Sequence, residues 1–305
     1  MIGRGWIMAF ARAGVRTTVW SRNPETSQSA IAFIHDVLPS LEGEGLLLGN
    51  TASEVAANVH VENDLKAALA GADYVQENAP EDIDSKRALF EFLDANTPEQ
   101  AIIASSTSAI LPSAFMADLR GRARCLVVHP MNPPYLMPAT ELVPSPWTST
   151  ETLDRVREIM TSAGQKPIVV HKEIEGFIVN RLQGAILNEA FALVSGGYAS
   201  ANDVDLAIKD GLALRWSFMG PFETIDLNAP GGVGDYVARY NALYANLHAQ
   251  MREHTDWAGP VLDVVVTGRR ALLPVAGLKE RQIWRDRRLM ALAAHKRDAN
   301  DRFGC

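Results

Sequence analysis

The stretch 125–144, CLVVHPMNPPYLMPATELVP, carries the residues best suited to chemistry. An apolar run, Cys125-Leu126-Val127-Val128, leads straight into His129. Pro130, Pro133 and Pro134 stiffen the turn that follows, and Glu141 arrives in a second extended run. A strand that ends on a histidine presents the imidazole at its carboxyl edge, where open α/β sheets bind ligands. A carboxylate on one ring nitrogen sets the tautomer and leaves the other nitrogen as a proton acceptor. The pair therefore suits general base catalysis on a hydroxyl group. The same two residue types also suit a plain loop histidine and a surface glutamate, so the elements around them decide.

Several neighbouring stretches lead into the same kind of edge. A buried-type strand over 101–104 runs into Ser105-Ser106-Thr107-Ser108. These hydroxyls suit an N-cap for a helix from Pro112, or equally donors to a substrate oxygen. A strand over 73–78 passes through Pro80-Glu81-Asp82 into a helix over 83–94, with Lys86 in its first turns. Glu81 and Lys86 stand at a loop-to-helix spacing and not as an i,i+4 pair. The strand RTTVW is followed by Ser21-Arg22-Asn23-Pro24. A dinucleotide-binding unit for NAD usually carries an acid there for the ribose 2′-hydroxyl. A small hydroxyl residue and an arginine instead accommodate a 2′-phosphate, which leaves NAD and NADP both open. A solvated turn accounts for the same residues equally well.

The chain opens MIGRGWIMAFARAG, with Trp6, Ala9, Phe10 and Ala13 on a helical stripe and Gly14 placed to end the helix. A helix that starts on glycine and leads to a strand reads as the back half of a βαβ unit. Gly3 fits the third glycine of G-x-G-x-x-G, while the strand and the first two glycines are absent from the sequence. That strand would be the middle of the sheet, and its turn would supply the amides that hold a pyrophosphate. The expectation is a start further upstream or an N-terminally shortened chain, with weakened cofactor binding.

Strand and helix alternate up to residue 172, ending with a helix over 152–163 and a strand over 168–171; this is the pattern of a mostly parallel sheet wrapped on both faces. From Glu175 only helical periodicity remains. GFIVNRLQGAILNEAFALVSGG comes first and contains Asn180. Helices follow over 201–209, 222–228, 236–251, 261–266 and 278–294. The sequence thus reads as α/β over 1–172, the dinucleotide-binding domain, and all-α over 173–305.

Composition sets the outer bounds. The 305 residues are 47% hydrophobic and 21% charged, which places them among ordinary globular chains with material for two domains. A net charge of −7 argues against nucleic acid or an anionic membrane surface as partner. No apolar run spans a membrane and no secretory leader is visible, so the reading is cytoplasmic. Cys125 and Cys305 offer neither a disulfide framework nor metal-ligand spacing.

Taken together, IGRGW, QENAPEDIDSKRALFEFLD, SSTSAILPS, VVHPMNPPY, TELVP, KEIEGFIVNRLQGAILNEA, GLALRWSFMGPFETIDLNA and RQIWRDRRLM resemble the 3-hydroxyacyl-CoA dehydrogenase superfamily. The resemblance is greatest to its lambda-crystallin / L-gulonate 3-dehydrogenase branch and covers essentially the whole chain. It implies a Rossmann-type domain, an all-helical domain that forms a homodimer, and a nicotinamide cofactor. It also implies His129 as catalytic base with Glu141 orienting it, Ser108 on the substrate hydroxyl and Asn180 near the substrate carbonyl or carboxyl. Glu81, Lys86 and Asn132 fall on cofactor-contacting positions. Two departures concern the cofactor: the missing glycines, and Ser21 in place of the acidic ribose ligand.

In the resembled acyl-CoA enzymes, the excursion after the second strand meets the CoA phosphates. Here the matching residues 24–57 hold Glu25, Asp36, Glu42, Glu44 and Glu54 and no lysine or arginine. Arg215, at the entry to a helix, suits a free carboxylate or else a salt bridge. The balance favours a small free hydroxy acid, gulonate-like or carnitine-like, over 3-hydroxybutyryl-CoA. A non-catalytic, crystallin-like role is the reading from another class.

Overall fold

The computed structural model describes residues 2–251 and 254–304. The chain forms two compact units. One holds the described residues up to Val179 together with those from Arg285 onward; the other is Asn180–Trp284.

The first unit is α/β. Its elements run α1 (Ile2–Ala11), β1 (Thr17–Val19), α2 (Pro24–Gly43), α3 (Ala52–Ala57), β2 (Val59–Val61), α4 (Leu65–Leu69), β3 (Tyr74–Glu77) and α5 (Ile83–Asn96). They continue through β4 (Ile102–Ser105), α6 (Ser113–Met116), β5 (Cys125–Pro130), β6 (Ala139–Pro144), α7 (Thr150–Ser162) and β7 (Lys166–Val169). The strands form two sheets, a parallel pair β1-β2 and a five-stranded sheet in the order β3-β4-β5-β6-β7. All pairings are parallel except β5 with β6. Helix α1 packs against both β1 and β3, the edge strands of the two sheets. Among the described residues no strand joins β1 to β3.

Alternation along the strands produces the two cores. Ile102, Ala104, Leu126, Val128 and Leu142 face a cluster shared with Trp6, Met8, Phe10, Leu38 and Val156. Ile103, Cys125, Val127 and Val143 point the other way, onto Leu69, Phe90, Leu93, Phe115 and Phe177. Successive strand side chains take opposite faces, so a sheet apolar on both faces must be covered by helices on both. Each fully buried side chain of this size contributes about 1.5–3 kcal/mol.

Gly5 sets how closely α1 approaches the loop after β5. A Cβ placed there would lie 2.5 Å from Cδ of Pro134. Gly5→Ala is therefore expected to destabilise the unit by about 1–3 kcal/mol, read as a lower urea midpoint at unchanged slope.

The chain returns to this unit at its far end. Within α14 (Leu278–Phe303), Met290 is buried in the first core. The Arg297 guanidinium donates to the carbonyls of Glu44 and Gly45 at 3.2 and 2.7 Å. These contacts group the described end of α14 with the α/β unit. A return of this kind depends on long-range packing, which helical periodicity does not encode.

The second unit is helical: α8 (Val179–Ser195), α9 (Ala201–Leu206), α10 (Ala213–Trp216), α11 (Pro221–Leu227), α12 (Gly232–Gln250) and α13 (Val261–Leu272), followed by the first turns of α14. Gly211 does not stop a helix as its type suggests. It lies in a π-helical stretch, residues 207–212, that carries α9 on into α10. A glycine inside a helix costs only about 1 kcal/mol, so neighbouring turns can carry the chain through it. Among the described residues, no helix is long and apolar enough to cross a membrane.

Candidate active site

His129 and Glu141 meet because of strand register. They are direct partners in the antiparallel β5–β6 pair. Residues opposite one another on antiparallel strands share a face, which here is the face of the second core. Imidazole Nδ1 and carboxylate Oε2 are 2.7 Å apart, with His129 5% exposed and Glu141 fully buried. The other carboxylate oxygen, Oε1, accepts the amides of Ile178 and Val179 at 2.6 and 3.0 Å. Burial pushes the Glu141 carboxyl up. The bonds from His129, Val179 and Ile178 outweigh it and hold the group below its ordinary value. The carboxylate is thus ionised at neutral pH. It accepts the Nδ1 proton and leaves Nε2 as the basic nitrogen.

The carboxyl ends of β3 and β4 carry a polar network. Glu81 accepts the Thr107 hydroxyl and the Ser108 amide, both at 2.6 Å. That contact fixes the backbone of Ser108, an exposed residue. Glu77, at the end of β3, receives Lys86 Nζ at 3.0 Å on each oxygen and the Ser105 hydroxyl at 2.5 Å. Lys86 and Glu77 are both buried. The four hydroxyl residues do not cap α6, which has no side-chain cap. Ser105, Ser106 and Thr107 bond instead to Glu77, Asn78 and Glu81. The Lys86 ammonium pairs with the Glu77 carboxylate. The sequence signal for Glu77 is weak: a glutamate at the end of a short strand, nine residues before a lysine on the following helix.

Trp6 Nε1 of α1 and Gln76 Nε2 both donate to the Ser106 hydroxyl, at 2.9 and 2.7 Å. The strand preceding His129 is tied into the same network, since Gln76 also reaches the Val128 carbonyl at 3.4 Å.

The parallel strands β1 and β2 end at Val19 and Val61, and Ser21 and the exposed Arg22 follow β1 directly. A hydroxyl and a guanidinium suit a ribose hydroxyl or a 2′-phosphate. Gly3 lies in the first turn of α1. An added Cβ there would sit 3.7 Å from Asn78, an ordinary contact, so packing alone does not require this glycine. Asn132 is exposed in the loop beyond β5. The Ser21 hydroxyl and Arg22 guanidinium thus fit the ribose end of a nicotinamide dinucleotide.

Asn180 and Arg215 belong to the second unit. Asn180 is half-buried in the first turn of α8. In α10, Arg215 Nε and its neighbour Trp216 Nε1 are buried without hydrogen-bond partners. Buried donors of this kind call for an acceptor.

Residues 1–174 match the family model "3-hydroxyacyl-CoA dehydrogenase, NAD binding domain", and 176–266 match the corresponding C-terminal domain. The chain belongs to the 3-hydroxyacyl-CoA dehydrogenase family. It is a nicotinamide-dependent oxidoreductase of that family. Lambda-crystallin of Oryctolagus cuniculus is 37% identical over 97% of this chain and 94% of its own length. L-carnitine dehydrogenase of Nocardiopsis dassonvillei is 34% identical over 96% of this chain and 88% of its own. Among solved structures, 3-hydroxybutyryl-CoA dehydrogenase of Escherichia coli K12 is 30% identical with a TM-score of 0.64. That match covers 74% of this chain and 47% of the other. An NAD+-dependent dismutase, FHMPC 5-dehydrogenase, shares the fold with a TM-score of 0.81 over 97% of this chain and 94% of its own, at 24% identity.

Proposed function

We propose that this protein oxidises the 3-hydroxyl of a small free hydroxy acid, gulonate-like or carnitine-like. The observation that carries the reading is the buried His129–Glu141 pair at 2.7 Å. His129 Nε2 takes the hydroxyl proton, and Glu141 stabilises the positive ring that results. Ser108 bonds the substrate hydroxyl, with its backbone held by Glu81. Asn180 serves the carbonyl or carboxyl, and Arg215 pairs the free carboxylate. Gly3, Ser21, Arg22, Glu81, Lys86, Ser108 and Asn132 would hold a nicotinamide dinucleotide, which when bound would supply the hydride acceptor. The cofactor is NAD, and the Ser21-Arg22 pair also accommodates NADP.

A free acid is favoured over an acyl-CoA because residues 24–57 contain no lysine or arginine for phosphates. The unpartnered Nε of Arg215 supports a carboxylate in its place. The protein works as a homodimer through α12, where Val237, Tyr240, Leu243, Tyr244 and Leu247 are all exposed. A row of that kind is the usual mark of an interface.

The test is reduction of NAD and NADP, followed by absorbance, on a panel of 3-hydroxy acids, carnitine and 3-hydroxybutyryl-CoA. Turnover of a free acid well above the CoA ester supports the reading. Preference for the ester moves it to the acyl-CoA class, and no turnover on any member favours a crystallin-like role. In the same assay Arg215→Gln is expected to raise KM for the acid by about 10–100-fold, the loss of one charged hydrogen bond.

A further inference from the structure

Phe177 holds an unfavourable backbone conformation beside the dyad. Its φ is 50°, and Gly176 before it is also left-handed at 75°. A bulky residue in that region is strained, and such strain persists only where the surroundings over-determine it. The other non-glycine residue with positive φ among the described residues is Leu48, and it is exposed at 51%. Phe177 is fully buried in the second core, among the side chains that cover the face of β5 and β6. Its ring lies 5.4 Å from the His129 ring, tilted by 59°. The next two residues, Ile178 and Val179, supply the amides that hold Glu141 Oε1.

The ring and the turn act on different members of the dyad. The aromatic ring backs the imidazole, which limits its rotation about Cβ–Cγ. The left-handed turn reverses the chain so that two successive N–H groups point at one carboxylate oxygen. A helix N-terminus presents its free amides in this way, and here Val179, the first residue of α8, and Ile178 just before it do so. The amides occupy Oε1 and leave Oε2 for Nδ1. With Phe177 left-handed, the amides of Ile178 and Val179 both point at Glu141 Oε1.

We infer that Phe177 is a positioning residue for the His129–Glu141 pair, acting through its buried ring and through the left-handed turn it shares with Gly176. The inference rests on the reading of His129 as the general base, and it adds a residue that does not touch the reacting atoms.

The test follows the His129 ring through a pH titration by NMR, on the full chain. Its signal is identified as the one of the seven histidines that is missing in His129→Gln. In Phe177→Leu, which keeps bulk but removes the ring, the midpoint is expected to move by about half a pH unit or more, with the other histidines unchanged. Gly176→Ala, which sets a Cβ in the left-handed turn, is expected to move it too. A midpoint unchanged in both folded variants overturns the inference, because a merely structural residue would lower the melting temperature without shifting one titration. Retained turnover in His129→Gln would instead sink the general-base reading, and the two failures are separate measurements.

Discussion

Replacing His129 with glutamine is expected to lower kcat by about 10²–10⁴-fold, the usual worth of a positioned general base. Nicotinamide cofactor affinity should stay close to wild type. The two effects separate because His129 sits at the end of β5, paired to Glu141, while Ser21 and Arg22, proposed for the cofactor ribose, follow β1. Glutamine retains a hydrogen-bond donor for the Glu141 carboxylate, so the buried charge is not stranded. It offers no basic nitrogen to the substrate hydroxyl. Stopped-flow absorbance for turnover and fluorescence titration for cofactor binding give the two readings. Equal turnover in the variant would reject His129 as the base.

Glu141→Gln carries the second large effect. The amide cannot stabilise a positive imidazole, and it can present its NH2 to Nδ1 and so favour the wrong tautomer. A loss on the order of 10²–10⁴ in kcat is expected, as for the orienting carboxylate of a catalytic triad. Stability falls as well. The carboxylate accepts three bonds, from His129, Ile178 and Val179, in a fully buried position. Each buried group left without its partner costs about 1–3 kcal/mol, and Glu141→Ala would strand all three.

The pH dependence of that stability has a definite sign. The folded Glu141 carboxyl lies below its ordinary value, as its bonds to His129 and the two amides outweigh burial. Its contribution is therefore fully present above the unfolded value, about pH 4.3, and is lost as pH falls through the folded one. The gap between wild type and Glu141→Gln in urea unfolding should be widest near neutral pH and narrow as pH falls through the lowered value of the folded carboxyl. A gap that widened on acidification would contradict the assignment of an ionised, hydrogen-bonded carboxylate.

Local pattern was sufficient for a good part of this protein. The change from alternating strand and helix to helices alone located the α/β and all-α parts, because apolar periods of two and of 3.6 are written into consecutive residues. His129 at a strand end and Glu141 in the next extended run were legible from residue type and the intervening prolines. The absence of lysine and arginine from 24–57 is equally plain.

Other features depended on which distant residues come together. Glu141 faces His129 through the antiparallel register of β5 and β6, and strand register is a property of the folded sheet. Lys86 pairs with Glu77 across a strand and a helix and not with Glu81, five residues away, whose carboxylate goes to Thr107 and Ser108. The left-handed turn at Phe177 and the return of α14 to the first core leave no periodic trace in the sequence. Sequence by itself determined which side chains were available for chemistry and which elements would carry them. Tertiary structure decided their partners, because a buried charge or an orphaned amide is satisfied by whatever the folded chain brings within about 3 Å, regardless of separation along it.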